Sequence, residues 1–208
     1  MTKGILLEAE RRSIVELQHI NVKLPLRGAV DLGAIVPIFH SWIQDQVCDE
    51  LLLDVADYRH VPDGPGVVLI GHEADYSVDN TDGRLGIRYN RKAVLAGTNQ
   101  DRLEQALRSA LQAAQKLEED TPANGKLTIN GQDMEIWIND RLLAPHADQT
   151  RQAVAAELTT FLDRIFSGTS YTLAFNSDPR KLLIARVRGE REFLASELLD
   201  RVSEPKIA

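Results

Sequence analysis

The feature that most constrains this fold is a pattern of paired short strands followed by an amphipathic helix, running from about His19 to the end of the chain. Alternating apolar and polar residues between turn signals predict antiparallel hairpins. Apolar residues at helical spacing predict helices that cover one face of the resulting sheet. The order hairpin, helix, hairpin, helix, hairpin, helix therefore predicts an α+β fold, with an antiparallel sheet built from β-hairpins and packed against amphipathic helices in a loose β-β-α rhythm. Equivalent positions share no recognisable identity, so the rhythm indicates an architecture and not a repeat.

The helices are predicted from caps and from apolar residues at 3.6-residue spacing. Thr98 begins the clearest one, which runs to about Glu119 with a stripe of leucines and alanines on one face. A second is expected from Asp31 to about Gln46, and Pro37 predicts a late start or a kink in it. A third is predicted from Asp148, as the cap, to Gly168. A short helix at 190–202 completes the pattern.

Strands are predicted where residues alternate in polarity or where short apolar runs end at turns. His19–Leu26 alternates and predicts a half-buried strand. Leu51–Tyr58 is rich in apolar residues, which favours a central position in the sheet. The pair Asn130-Gly131 predicts a tight type I′ hairpin between the segments that flank it. The other segments predicted as strands are 67–70, 75–78, 85–89, 127–129, 134–138, 171–175 and 182–187.

The chain is expected to form one domain. Residues 1–18 predict a short charged helix or an N-terminal lead-in, and residues 19–208 a single α+β domain. Proline and glycine at 122–125 mark a soft internal boundary. No Gly/Ser-rich linker or low-complexity tract divides the sequence, so two separate domains are not favoured.

Composition and charge predict a soluble cytoplasmic protein that does not bind nucleic acid. The 208 residues are 43% hydrophobic and carry a formal net charge of −7, which repels a phosphate backbone. No apolar stretch is long enough to span a bilayer, no export signal is evident, and one cysteine allows no intramolecular disulfide. Two groups of basic residues are interpreted as solvated strand faces: Arg84, Arg88, Arg91 and Lys92, and then Arg180, Lys181, Arg186 and Arg188.

Polar and titratable residues concentrate between His40 and Asp79, so a site is most plausibly formed there. Two histidines and a carboxylate can hold a metal with an open position, and a His–Asp pair can act as a general base. The catalytic candidates are Asp54, Tyr58, His60, His72 and Glu73; the metal candidates are His60, His72 and Asp75; and His40 and Asp57 belong to the same group.

The alternative interpretation is that these carboxylates cap loop amides or pair with arginines, and that the histidines are ordinary boundary residues. If the strands before His60 and before His72 are antiparallel neighbours, the two histidines lie too far apart to share a metal. The segment His72-Glu-Ala-Asp-Tyr76 is not an H-E-x-x-H zinc motif, because Tyr76 stands where the second histidine belongs.

Other catalytic motifs are missing from the sequence. Gly64-Pro-Gly66 lacks the spacing of a dinucleotide loop, and neither a P-loop nor a G-x-S-x-G elbow occurs. Cys48 stands next to Asp49 and Glu50, whose charges raise the pKa of a thiol and disfavour a reactive thiolate. No cofactor is therefore assigned.

Four segments together are similar to an uncharacterised family of bacterial proteins: Val36–Trp42, Asp54–Gly66, Gly71–Tyr76 and Asn139–Pro145. The likeness covers most of the chain from about His19. It implies a shared fold, and it carries no activity and no functional residue to this sequence.

Two functions remain open. The first is a non-enzymatic cytosolic binding or assembly module, which engages a protein partner or itself through an exposed sheet edge, an acidic surface or the narrow helix stripe. The second is a small-molecule enzyme, with or without a metal, whose site lies around residues 54–76. The first is favoured because no catalytic motif is found.

Overall fold

A computed structural model describes residues 15–28, 31–121 and 127–203. This part of the chain forms nine strands and four α-helices, and it has the α+β architecture expected from the sequence. In chain order the elements are β1 (Ile20–Arg27), α1 (Ile35–Asp45), β2 (Leu52–Tyr58), β3 (Gly66–Gly71), β4 (Ala74–Asp79), β5 (Gly86–Arg91), α2 (Asn99–Asp120), β6 (Thr128–Ile129), β7 (Asp133–Ile138), α3 (Asp148–Ile165), β8 (Tyr171–Phe175), β9 (Leu183–Gly189) and α4 (Ala195–Ser203).

The strands form one antiparallel sheet in the order β2-β3-β4-β5-β1-β7-β9-β8. β1 lies at its centre, between β5 and β7, and the short strand β6 pairs with the end of β1. α2 packs on β1 and β5, and α4 packs on α2. The side chains of β1 alternate as predicted: Val22 and Leu24 lie in the core with the helices, and Asn21 and Lys23 lie on the opposite face. We call that opposite side the open face. The expectation that the strand is half-buried was wrong, because Asn21 and Lys23 are buried as well.

The helices begin and end close to the predicted positions, except that α4 begins at Ala195 and not at about 190. Thr98 forms a capping box with Asp101, in which each side chain accepts from the other residue's backbone N–H. Pro37 falls in the first turn of α1, after a short 3-10 turn at Leu32–Ala34, which confirms the predicted late start. The expected cap of α3 was wrong by one residue: Ala147 occupies the N-cap position, without a side-chain hydrogen bond, and Asp148 is the first helical residue.

The predicted central position of β2 was wrong. In the described chain β2 pairs with β3 alone and forms one edge of the sheet. Its apolar residues are divided between two environments: Leu52 is buried, whereas Leu51 and Leu53 are 54% and 52% exposed. An apolar run therefore did not indicate burial on both faces.

The predicted type I′ hairpin at Asn130-Gly131 was also wrong. β6 and β7 run in the same direction and both pair with β1. The chain therefore does not reverse at 130–132, which form a short irregular segment between the two strands. Gly131 does not have a positive φ. The residue must be small for another reason, because a Cβ at this position would overlap the backbone carbonyl oxygen of Phe193.

Two predictions fall largely outside the described residues. The lead-in or helix at 1–18 is described only from Val15 onward, and residues 15–18 lie outside any helix. The soft boundary at 122–125 lies entirely in an undescribed segment. Across the described ranges, none of the helices combines the length and the apolar character that crossing a bilayer would require.

Candidate functional site

The residues singled out around 54–76 lie along the β2 edge and do not converge on a cavity. Asp54 and Tyr58 are exposed on β2, and His60 is exposed in the turn that follows. His40 is likewise exposed, on α1. Each of these side chains faces solvent, so the structure provides no enclosed environment in which they could act on a bound molecule.

The two histidines lie at opposite ends of β3. β2 and β3 are antiparallel neighbours, with Tyr58 opposite Gly66 and Leu52 opposite Gly71. His60 follows the first pair and His72 follows the second, so about the length of a six-residue strand, roughly 20 Å, separates them. This distance excludes a metal ion shared by both. Among the described residues, no group of three or more histidine, cysteine, aspartate or glutamate side chains is placed to hold a metal.

The remaining candidates form local ion pairs. His72 Nδ1 lies 3.1 Å from Glu73 Oε1, and this contact lowers the pKa of the glutamate. Asp75 pairs with Lys92 at 2.6 Å. Asp57 accepts hydrogen bonds from the Arg59 side chain and backbone, which lower its pKa to about 2. These contacts match the interpretation that the carboxylates cap amides and pair with cations.

A cleft on the helix side of the sheet is lined by residues that sequence reasoning did not assign to a site. It has a volume of about 260 Å³ and lies between the end of α1, the 47–49 segment and α2. Its wall includes Trp42, Cys48, Asp49, Tyr76, Ser109 and Lys116.

A buried carboxylate lies beneath this cleft. Glu50 is only 6% exposed and accepts hydrogen bonds from the hydroxyls of Tyr76, at 2.6 Å, and Tyr89, at 3.1 Å. Gln105 extends the chain of contacts by donating to Tyr89 and to Ser109. Two hydroxyl donors compensate for much of the lost hydration of the carboxylate, so its burial is accounted for by the fold itself.

Three groups in or beside the cleft, the Cys48 thiol and the hydroxyls of Tyr76 and Tyr89, are held in their neutral forms. Burial raises the pKa of the Cys48 thiol to about 12. Its contact with Tyr76, the next largest effect, lowers the pKa, and the nearby charges of Glu50 and then Asp49 raise it. Burial likewise raises the pKa of Tyr89 to about 12 and that of Tyr76 further. The sequence predicted the direction for Cys48 from its acidic neighbours, but desolvation is the larger cause.

The open face carries an ion-pair network that joins residues distant in sequence. Lys23 Nζ lies 2.5 Å from Asp79, both side chains are almost fully buried, and Arg88 contacts the second oxygen of Asp79 at 3.0 Å. Beside it, Glu135 is buried and accepts from Arg84, Arg186 and the indole of Trp137. Arg84 and Arg88 of the first basic group and Arg186 of the second therefore meet here and pair with carboxylates. Arg88 is a packed residue and not a solvated one, since its side chain is 17% exposed.

The two edges of the sheet differ in how they are protected. On β2, the register shifts between Leu52 and Asp54, as at a β-bulge. The side chain of Asp54 accepts a hydrogen bond from the backbone N–H of Val55, and that of Asp57 from Arg59. Bulges, charges and occupied amides are the devices that keep an edge strand from pairing with another chain.

β8 forms the opposite edge and has none of these devices. Its sequence, Tyr171-Thr-Leu-Ala-Phe175, contains no charge and no proline, and all five residues pair with β9 in an unbroken register. Within the described chain no strand pairs with its outer side. β8 is therefore an uncharged strand in regular register whose outer backbone groups pair with no other described strand, and this combination is typical of an edge that binds another strand.

The chain was compared with family models, curated proteins and solved structures. None of them matches it. The resemblance to an uncharacterised bacterial family is consistent with this outcome, and it adds no site residue. The site is therefore argued from geometry alone.

Sequence reasoning did not place β8 at an edge of the sheet; the sequence itself shows only that this strand contains no charge and no proline. The segment 171–175 was recognised as a strand, but its place at the edge depends on how nine strands are ordered. Glu50, Tyr76 and Tyr89 carry no common spacing, so their convergence has no sequence signal.

Proposed function

We propose that this protein is a non-enzymatic cytosolic binding or assembly module, which engages a protein partner or a second copy of itself through the outer edge of β8. The observation that carries the proposal is the asymmetry between the sheet edges. β2 has a bulge and a capped amide, whereas β8 has no charge, and none of the strands that the structure describes pairs with its outer side. Strand addition at such an edge supplies main-chain hydrogen bonds without requiring a deep pocket.

Proline substitutions at the two edges test this proposal. Proline removes a backbone N–H and is tolerated on an edge strand where that N–H faces solvent. We expect Leu173→Pro to abolish the capture of binding partners by in-cell crosslinking, because it blocks the outer edge of β8. The matched control is Val55→Pro, at the protected edge, and we expect it to retain the same crosslinked products.

Far-UV circular dichroism establishes that both variants keep the fold before the comparison is made. Crosslinked products that are equally abundant in the wild type and in folded Leu173→Pro would show that β8 is not the binding surface.

A small-molecule function is the second candidate, and the cleft favours it more than the residues around 54–76 do. The specific observation is a cavity of about 260 Å³ with polar and aromatic walls. Native mass spectrometry with a panel of small metabolites tests it, using Gln112→Arg to obstruct the cleft and Gln152→Arg, on the exposed side of α3, as control. Binding that Gln112→Arg leaves unchanged would contradict this candidate.

A further inference from the structure

We infer that the strand bound at the β8 edge is β8 of a second copy of this chain, related by a two-fold axis at Leu173. The inference rests on the proposed function, because it names the partner of the same edge. It is carried by the backbone direction of β8, by the near-palindromic order of its side chains and by the lack of charged residues on the strand itself.

The backbone of β8 presents three residues outward. Ser170 accepts from Glu190 N at 2.8 Å, and Asn176 N donates to Ile184 at 3.1 Å, so the even-numbered positions direct their polar groups toward β9. In an antiparallel ladder the direction alternates along the strand. The N–H and C=O groups of Tyr171, Leu173 and Phe175 therefore face the free side.

A two-fold axis at Leu173 pairs these outward residues with one another. Leu173 lies opposite Leu173 of the partner subunit, and Tyr171 lies opposite Phe175 of the partner subunit. Residues that face each other in this way exchange both of their backbone hydrogen bonds, so every outward group of the three residues gains a partner. A register shifted by one residue would place outward residues opposite inward ones and leave these groups unsatisfied.

The side chains match in the same register. Tyr171, Leu173 and Phe175 are half-buried and pack against the core on the helix side. The pairing would bring aromatic residues together at both ends and leucine against leucine at the centre, and such cross-strand pairs stabilise sheets. Thr172 and Ala174, which are exposed on the open face, would face each other as small residues.

β8 itself contributes no charge to this approach, and on the helix side the carboxylate of Asp163 accepts a hydrogen bond from the Tyr171 hydroxyl at 2.7 Å. The nearest cations on the open face, Arg186 and Arg188 of β9, are paired with Glu135 and Asp133, respectively. On the helix side, Thr159 lies above Tyr171 and is exposed, as is Thr160, so short side chains limit steric conflict between the two copies of α3.

The same operation at β2 gives an unfavourable pairing. A two-fold axis at Val55 would place Leu53 opposite Asp57 of the partner subunit, across a bulge, with the Val55 amide already bonded to Asp54. The contrast explains why self-pairing is assigned to β8 and not to the other edge.

Sedimentation velocity of the full-length protein over a range of concentrations tests the inference. Because a five-residue strand pair is a small interface, we expect a dimer with a dissociation constant on the order of micromolar. Leu173→Pro should weaken dimerisation at least about tenfold, whereas Val55→Pro should leave it unchanged.

A disulfide trap tests the register independently of any folding defect. Thr172 lies opposite Ala174 of the partner subunit as a non-hydrogen-bonded pair, where Cα atoms are about 4.5 Å apart and within reach of a disulfide. The double variant Thr172→Cys/Ala174→Cys should form a covalent dimer under mild oxidation. Each single variant should not form this dimer, because its new cysteine faces Ala174 or Thr172 of the partner subunit. Cys48 is present in every variant, so the single variants also control for a disulfide through Cys48.

The outcomes separate the inference from the proposed function. A monomer at every concentration, with no covalent dimer but with partners that Leu173→Pro loses, overturns self-pairing and leaves the binding module intact. A dimer unaffected by Leu173→Pro, without the disulfide, overturns self-pairing as well. If no partner depends on Leu173 either, the proposed function also fails.

Discussion

At the scale of single residues, the charges that matter most are the buried ones on the open face, which none of the described helices covers. Lys23 is 1% exposed and Asp79 is fully buried, and Arg88 and Thr81 complete the coordination of the Asp79 carboxylate. Burying two charges costs desolvation energy that the pair only offsets when its geometry is good. Removing one partner is therefore expected to destabilise the protein by more than the intact pair stabilises it.

We expect Lys23→Met to lower the free energy of unfolding by about 3 kcal/mol. The substitution leaves the buried Asp79 carboxylate with only Arg88 and Thr81 to offset its charge. Chemical denaturation monitored by circular dichroism measures the effect. Arg27→Met on the same strand is the matched control: Arg27 pairs with Glu192 with both side chains about half exposed. Its loss should cost less than about 1 kcal/mol. Equal effects of the two substitutions would contradict the importance assigned to burial.

At the scale of elements, local signals predicted most helices and strands correctly, while packing overrode one of the strongest of them. Asn130-Gly131 is a residue pair favoured in hairpin turns, yet β6 and β7 run in the same direction and both pair with β1. The glycine is required because the backbone at Phe193 approaches it, and Phe193 N also donates to Gly131 O at 3.2 Å. Gly131 thus allows two chain segments to approach closely and does not form a turn.

Alanine substitutions separate these two uses of glycine. We expect Gly131→Ala to destabilise the protein by more than about 2 kcal/mol, because the new methyl group overlaps the carbonyl of Phe193 and the backbone must shift. Gly83→Ala is the control, since Gly83 has a φ of 66° and open space around its Cβ position. It should cost only the left-handed backbone strain of about 1 kcal/mol. Thermal unfolding ranks the two, and the reverse order would show that the approach at Phe193 is not constraining.

At the scale of the whole molecule, the central strand joins the parts of the chain on either side of 122–126. β1 pairs with β5, which precedes this segment, and with β7, which follows it. A strand that pairs with both halves couples their unfolding, because neither half keeps its sheet intact without it.

We therefore expect one cooperative unfolding transition and not two. The two tryptophans report on different regions, since Trp42 lies on α1 and Trp137 on β7. In Trp42→Phe and Trp137→Phe, the fluorescence of the remaining tryptophan should follow the same denaturation curve as far-UV circular dichroism of that variant. Separate midpoints in either variant would indicate an independent unit and restore the boundary predicted near 122–125.

The sequence by itself determined the elements of this protein, because caps, turn residues and apolar periodicity act over a few residues. The Thr98 capping box, the late start of α1 and the alternation of β1 are all local in this sense. The tertiary structure alone decided the order of the strands, and with it the edges at β2 and β8, the network around Lys23 and the contacts of Glu50 with two tyrosines. The contacts of Glu50 and the Lys23–Asp79 pair join residues 26 to 56 positions apart, and the pairing of β1 with β7 joins Ile20 to Ile138. Their free energy appears only when distant segments pack, so no local pattern encodes them.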